Sequence, residues 1–253
     1  MSNPAGVSLS NLIQTELLAL RTIRTPWILT AVAVLVTLVL ALTPVIDSGK
    51  HGAASIGTSA AMLAVLDAIA KGSVVVLLLG VLAVTSEFRS GTATVTFLQT
   101  PRRLRVLAAK SAAVIVVGSA LAVVNLAVAL AVGLPTGAIQ LSMLNGDVRL
   151  HVLGLVLEYP IYGALGVGIG ALLIYQPVAV VLPLAWLLVE HGLADNLPWT
   201  VRPWSLSAVT SALANAGNVE AVLPVLAGGL ALLGYAALLL SLGAARVLRR
   251  DIT

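Results

Sequence analysis

TPWILTAVAVLVTLVLALTPVI, residues 25–46, runs between Arg24 and Asp47 without a single charge. A helix rises ~1.5 Å per residue and the hydrocarbon core is ~30 Å thick, so about 20 apolar residues make a spanning helix. This stretch has that length, and it reads as the first span of an integral membrane protein. Arg21 and Arg24 precede it as a signal peptide's charges would. The run is too long for one and no A-x-A site follows, so it reads as an uncleaved signal-anchor.

The rest of the chain repeats the pattern. Of its 253 residues 59% are hydrophobic and only 9% charged, with a mean hydropathy of +1.07; a soluble domain carries roughly 25% charged residues. Charges divide the chain into about six spans: 27–46, 66–86, 106–132, 152–175, 178–191 and 221–247. The fourth and fifth share one uncharged run, 159–189, interrupted at Tyr175-Gln176-Pro177, where a tight turn at Gln176 is expected. The expected fold is all-α and integral to the membrane, one domain over 1–253 with six transmembrane helices. No internal repeat, low-complexity linker or separate soluble domain is visible.

Lysine and arginine set the orientation. With the N-terminus cytoplasmic, the inner side receives Arg21, Arg24, Arg89, Arg102, Arg103, Arg105, Lys110, Arg246, Arg249 and Arg250, against Lys50, Lys71, Arg149 and Arg202 outside or in the outer half. An even number of spans then leaves both termini cytoplasmic. The sequence pI near 9.9 is accounted for by headgroup contacts and requires no nucleic acid. Ahead of the first span, residues 8–25 carry Leu9, Leu12, Ile13, Leu17, Leu20 and Ile23 at helical spacing, with Ser8 placed to cap. That is an interfacial amphipathic helix, expected to turn into the membrane at Pro26.

Several chemistries are excluded or disfavoured. Without cysteine there is no disulfide and no thiolate metal site, and His51, His151 and His191 lack HxxxH or HxxE spacing. The histidines read as satisfied loop or interfacial residues. No GxxxxGK[ST] loop is present, so the chain has no phosphate cradle of its own and is expected to be no enzyme.

The informative loop is 87–105, between spans two and three, SEFRSGTATVTFLQTPRRLR from Ser86 onward. Gly91 can end the helix leaving the membrane, Thr92 to Gln99 can form a short surface helix, and Thr100-Pro101 pairs an N-cap with proline at the first helical position. Glu87-Phe88-Arg89-x-Gly91-Thr92, followed by Thr96, Pro101, Arg103 and Lys110, resembles the permease subunits of type-2 ABC exporters, especially actinobacterial ones. The interfacial helix, the six spans, the glycine-rich fourth span and Trp186…Glu190 in the fifth are similar too.

The resemblance implies a cytoplasmic coupling helix that docks in a cleft of an ATPase partner. Glu87 and Arg89 would anchor the end of span two, Phe88, Gly91 and Thr92 would shape the loop, and Val95, Phe97 and Leu98 would plug the partner's groove. ATP and Mg²⁺ would then bind in the partner, none in this chain, with a second permease copy or homologue completing the assembly in a bacterial plasma membrane. The alternative for Glu87 and Arg89 is simple solvation, and Arg102, Arg103, Arg105 and Lys110 read equally as a basic collar for lipid headgroups.

Toward the outer side, Asp67 and Lys71 lie four apart on one helical face and can pair, while Glu158 has no such neighbour. With Asp47, Asp147, Glu190, Asp195 and Glu220 they make the outer half acidic. Asp67, Lys71, Glu158, Glu190, Trp199 and Trp204 are read either as a transport path or outer gate for an amphiphilic drug, peptide or lipid-like substrate, or as packing. Gly163, Gly166, Gly168 and Gly170 read as a close-packing face. The family resemblance suggests short re-entrant helices in the outer loop, 194–220. The competing function is a stand-alone ion- or proton-coupled carrier using Glu158 or Asp67; it calls for repeat symmetry and broken helices at mid-membrane, neither of which is legible here. An intramembrane enzyme is disfavoured, since no nucleophile–base pair appears in any span.

Overall fold

The computed structural model describes residues 8–48, 50, 55–91, 103–140, 146–193, 197–198, 200–214 and 223–249. All regular structure among them is helical: α1 (Leu9–Thr22), α2 (Arg24–Ile46), α3 (Ser59–Lys71), α4 (Ser73–Ser90), α5 (Arg103–Gly133), α6 (Gly146–Leu173), α7 (Gln176–Leu193), a 3₁₀ turn (Arg202–Trp204), α8 (Leu206–Ala214) and α9 (Val225–Arg249). Five segments are long and apolar enough to cross a membrane: Arg24–Ile46, Ser59–Ser90, Arg103–Gly133, Arg149–Leu173 and Val225–Arg249. The expected fifth span is a shorter apolar helix, Gln176–Glu190. Leu35 and Val39 on α2, Trp186 and Leu188 on α7, and Leu226 and Leu230 on α9 present apolar faces outward. Water would not tolerate so much contiguous apolar surface, and the chain is a multi-pass all-α membrane protein.

The N-terminal amphipathic helix forms as its pattern predicts. Ser8 caps it, the hydroxyl accepting from the Asn11 N–H at 3.3 Å. It ends at Ile23, whose extended backbone (φ −80°, ψ 141°) precedes α2 directly. The turn thus falls three residues before Pro26, which sits in the first turn of α2, where a missing N–H costs nothing. The indole of Trp27 donates to the Arg21 carbonyl at 2.8 Å and holds the corner.

α6 is the centre of the bundle, packed on α4, α5 and α9. Its seam with α4 requires glycine: a Cβ on Gly166 would lie 2.0 Å from the Leu77 carbonyl oxygen, and one on Gly80 would lie 2.3 Å from that of Gly163. The glycine-rich face is a packing face, as its spacing indicates. The break after α6 falls at Ile174, whose left-handed φ of 60° is rare for a β-branched residue. Gln176 and Pro177 then open α7 rather than form the turn.

Span two differs from the expected single helix. It starts at Ser59 and breaks at Gly72 into α3 and α4, so Asp67 and Lys71 belong to the shorter piece, α3. The sequence pattern, read as one helix over 66–86, gave no sign of this break. The described residues between α7 and α9 form the 3₁₀ turn and α8, whose Val209, Ala212 and Leu213 are buried against neighbours that include α9 and α6.

Candidate functional site

Two polar clusters interrupt this apolar bundle. The first sits where α1, α4 and α5 meet. Lys110 is only 4% exposed, and its ammonium donates to both carboxylate oxygens of Glu16, at 2.8 and 2.9 Å, and to the carboxylate of Glu87. One cation thereby ties α1 to the last turn of span two. Burial pushes the Glu16 carboxyl above its ordinary range, the Lys110 charge and hydrogen bond oppose this, and the Glu87 charge adds to the rise. A cavity of about 130 Å³ beside the triad is lined by Glu16, Ser86, Glu87, Lys110 and Gln176, among others.

Lys110 was expected among lipid headgroups with Arg102, Arg103 and Arg105; the structure buries it instead. Arg103 donates to the Val247 carbonyl at 2.9 Å, near the end of α9, and Arg105 is exposed. Arg89 donates to the Gln176 side chain at 3.2 Å, joining the end of α4 to the start of α7. Phe88 is partly buried and packs against the core. Gly91 ends α4 in the left-handed conformation, φ +72°, as its position predicts. Thr92, Val95, Phe97, Leu98 and Arg102 lie outside the described residues, and with them the surface helix expected of the loop.

Glu16 was missed by the sequence reading. It lies four residues from both Leu12 and Leu20, inside the half-buried stripe of α1. A carboxylate in an apolar stripe is a signal that the partner search within one helix does not reveal.

The second cluster lies at the break in span two. Ser73, the first residue of α4, donates its hydroxyl to Glu158 at 2.7 Å. The next residue, Tyr159, donates to the Ile69 carbonyl at 2.5 Å and accepts from the Asn125 amide at 2.8 Å. These bonds stitch the broken span to α5 and α6. Glu158 is 3% exposed, and its second oxygen has no hydrogen-bond partner among the described residues. Asp67 and Lys71 form an exposed pair at 2.7 Å, apart from this network of bonds. His151 is buried with neither ring nitrogen partnered among the described residues, so it is not the satisfied histidine expected. His51 and the side chain of His191 lie outside the described residues. Among those described, no group of three histidine or carboxylate side chains is placed to hold a metal.

Glu190 and Trp204 come together at the end of α7. Glu190 accepts the Ser207 N–H at 2.8 Å and the Ser207 hydroxyl at 3.2 Å, and so caps α8. Trp204 lines the same groove, and its carbonyl accepts from the Tyr235 hydroxyl at 2.7 Å. Trp199 lies outside the described residues, as do Asp195 and Glu220. Compared with protein-family models and with curated proteins, the chain matches none.

Proposed function

We propose that the chain is the membrane subunit of an ATP-driven exporter of the type-2 ABC kind, with both termini cytoplasmic in a bacterial plasma membrane. The observation that carries this reading is the Glu16–Lys110–Glu87 triad. Glu87 begins the very segment whose motif resembles a coupling loop, and Lys110 closes it. A movement imposed on residues 92–102 therefore reaches two helices and the interfacial α1 through one buried cation. Rigid helices joined by a compensated charge move together, since separating them leaves carboxylates unpaired.

In this reading ATP and Mg²⁺ bind a separate P-loop ATPase, a second permease copy completes the pair, and the cargo is amphiphilic. Purification of the tagged chain from its own cells is expected to bring down a P-loop ATPase, and the isolated chain is expected to hydrolyse no ATP. Hydrolysis by the chain alone, or purification from native membranes without any such partner, contradicts the proposal.

The break at Gly72 and the half-bonded Glu158 favour a second reading, an ion-coupled carrier. Its weakness is depth. α4 has 18 residues, about 27 Å of helix from Ser90 to the break, which puts Gly72 near the far side of a ~30 Å core rather than at its midplane. Transport that persists without ATP, follows an ion gradient and is lost in Glu158→Gln identifies the carrier.

A further inference from the structure

A groove of about 660 Å³ runs along α7 and α9, with α4 and α6 at its back. Its walls are almost wholly apolar: Leu77 and Leu165 at the back, Leu182 and Leu239 along the sides, Trp186 and Trp204 at the rims. Glu190 lines it too, and is only 4% exposed. One of its oxygens is consumed in capping α8 through Ser207. The other is buried without a hydrogen-bond partner among the described residues.

A buried carboxylate oxygen beside an apolar groove is costly unless something compensates it. Cap formation alone requires one oxygen and no net charge; an asparagine or serine performs the same task. The groove's volume falls in the ~300–1,000 Å³ range of small-molecule sites, which join apolar walls to a few placed polar groups. Indoles that line the same groove as a carboxylate also suit a cation, which their negative π-faces attract. We infer that this groove is a binding site for a cationic amphiphile, its hydrocarbon body against the leucines and its positive group at the free oxygen of Glu190. As the cargo site of an exporter it rests on the proposed function; as a binding site it does not.

Tetraphenylphosphonium and its anionic isostere tetraphenylborate share a shape and differ in sign, so together they read the charge. Radiolabelled probes are titrated against the purified full chain in zwitterionic-lipid nanodiscs, with empty nanodiscs subtracted. The phosphonium is expected to bind saturably and the borate not. Glu190→Gln keeps the acceptor for Ser207, so α8 stays capped, and should weaken the phosphonium by about tenfold through loss of one partly desolvated Coulomb contact. Leu238→Trp, at an exposed groove position, should weaken it by obstruction and leave the fold intact.

Equal binding of both probes overturns the inference, as does unchanged affinity in Glu190→Gln. So does a groove already closed by a second copy, seen as disulfides between single cysteines placed at position 238. A retained phospholipid that the phosphonium does not displace has the same consequence. Saturable, Glu190-dependent binding in a chain that recruits no ATPase leaves the site standing and removes the exporter; an ATPase partner without such binding does the reverse.

Discussion

The buried charges at the two ends of α4 are handled in opposite ways. At the end of α4, Glu87 and Glu16 share the ammonium of Lys110, and three helices depend on that cation. At the start of α4, Glu158 has one hydroxyl donor and, among the described residues, no cation bonded to it and an oxygen left over. A compensated pair is expensive to break but contributes little beyond an apolar replacement, whereas a lone buried carboxylate is a cost the fold carries. The first arrangement ties three helices together. The second persists against its own energetics, and so is the place to look for a proton or a packing constraint.

This contrast can be broken most forcefully at Lys110. Lys110→Met leaves two carboxylates facing each other in a largely dry site, and should cost about 3 kcal/mol or more in detergent-titrated unfolding. It should also free α1, raising the labelling of a single cysteine at position 12. An unchanged midpoint with α1 still protected would mean the triad is ornamental.

Tyr159→Phe probes the other end. It strips the Ile69 carbonyl of a donor and the Asn125 amide of an acceptor, for an expected loss of about 1–3 kcal/mol. Hydrogen exchange should locate the loss at the junction of α3 and α4; exchange unaffected there would show that Gly72 alone sets the break.

Glu158→Gln sharpens the comparison by its sign. The amide still accepts from Ser73 and no longer carries a charge, so stability should hold or rise by about 1 kcal/mol. A large loss would place an unseen cation at Glu158. The smallest effect belongs to Glu16. Its carboxyl titrates above the ordinary value in the fold, so the folded chain binds more protons than the unfolded chain between those two values. Stability therefore falls as pH rises through that window and is regained as pH falls toward the ordinary carboxylate value. Glu16→Gln should flatten this slope in a pH series of unfolding midpoints, and an unaltered slope would assign it to another group.

What the sequence disclosed was local. The uncharged run 25–46, the Ser8 cap, the glycine that ends α4 and the glycine face of α6 each depend on neighbours a few residues away, and each appears where its pattern predicts. What it hid was long-range. Lys110 looked like part of a basic collar because Glu16 lies 94 positions away, and Lys71-Gly72-Ser73 gave no sign of a break because the bond that accommodates it comes from Tyr159, 90 positions on from Ile69. A capping glycine can be read from one helix; a charge partner or a stitched discontinuity cannot.

In the proposed exporter, the segment between Gly91 and Arg103 meets an ATPase, and the helices on either side of it are joined through Glu87 and Lys110. A photo-crosslinking amino acid placed at Phe97, in membranes of the native cells, tests this most directly. The account predicts one dominant adduct whose mass and peptides belong to a P-loop ATPase, weakened when Glu87→Ala loosens the anchor. Adducts confined to lipid, or an ATPase adduct that forms equally well from a residue placed at position 46 on the opposite face, would contradict it.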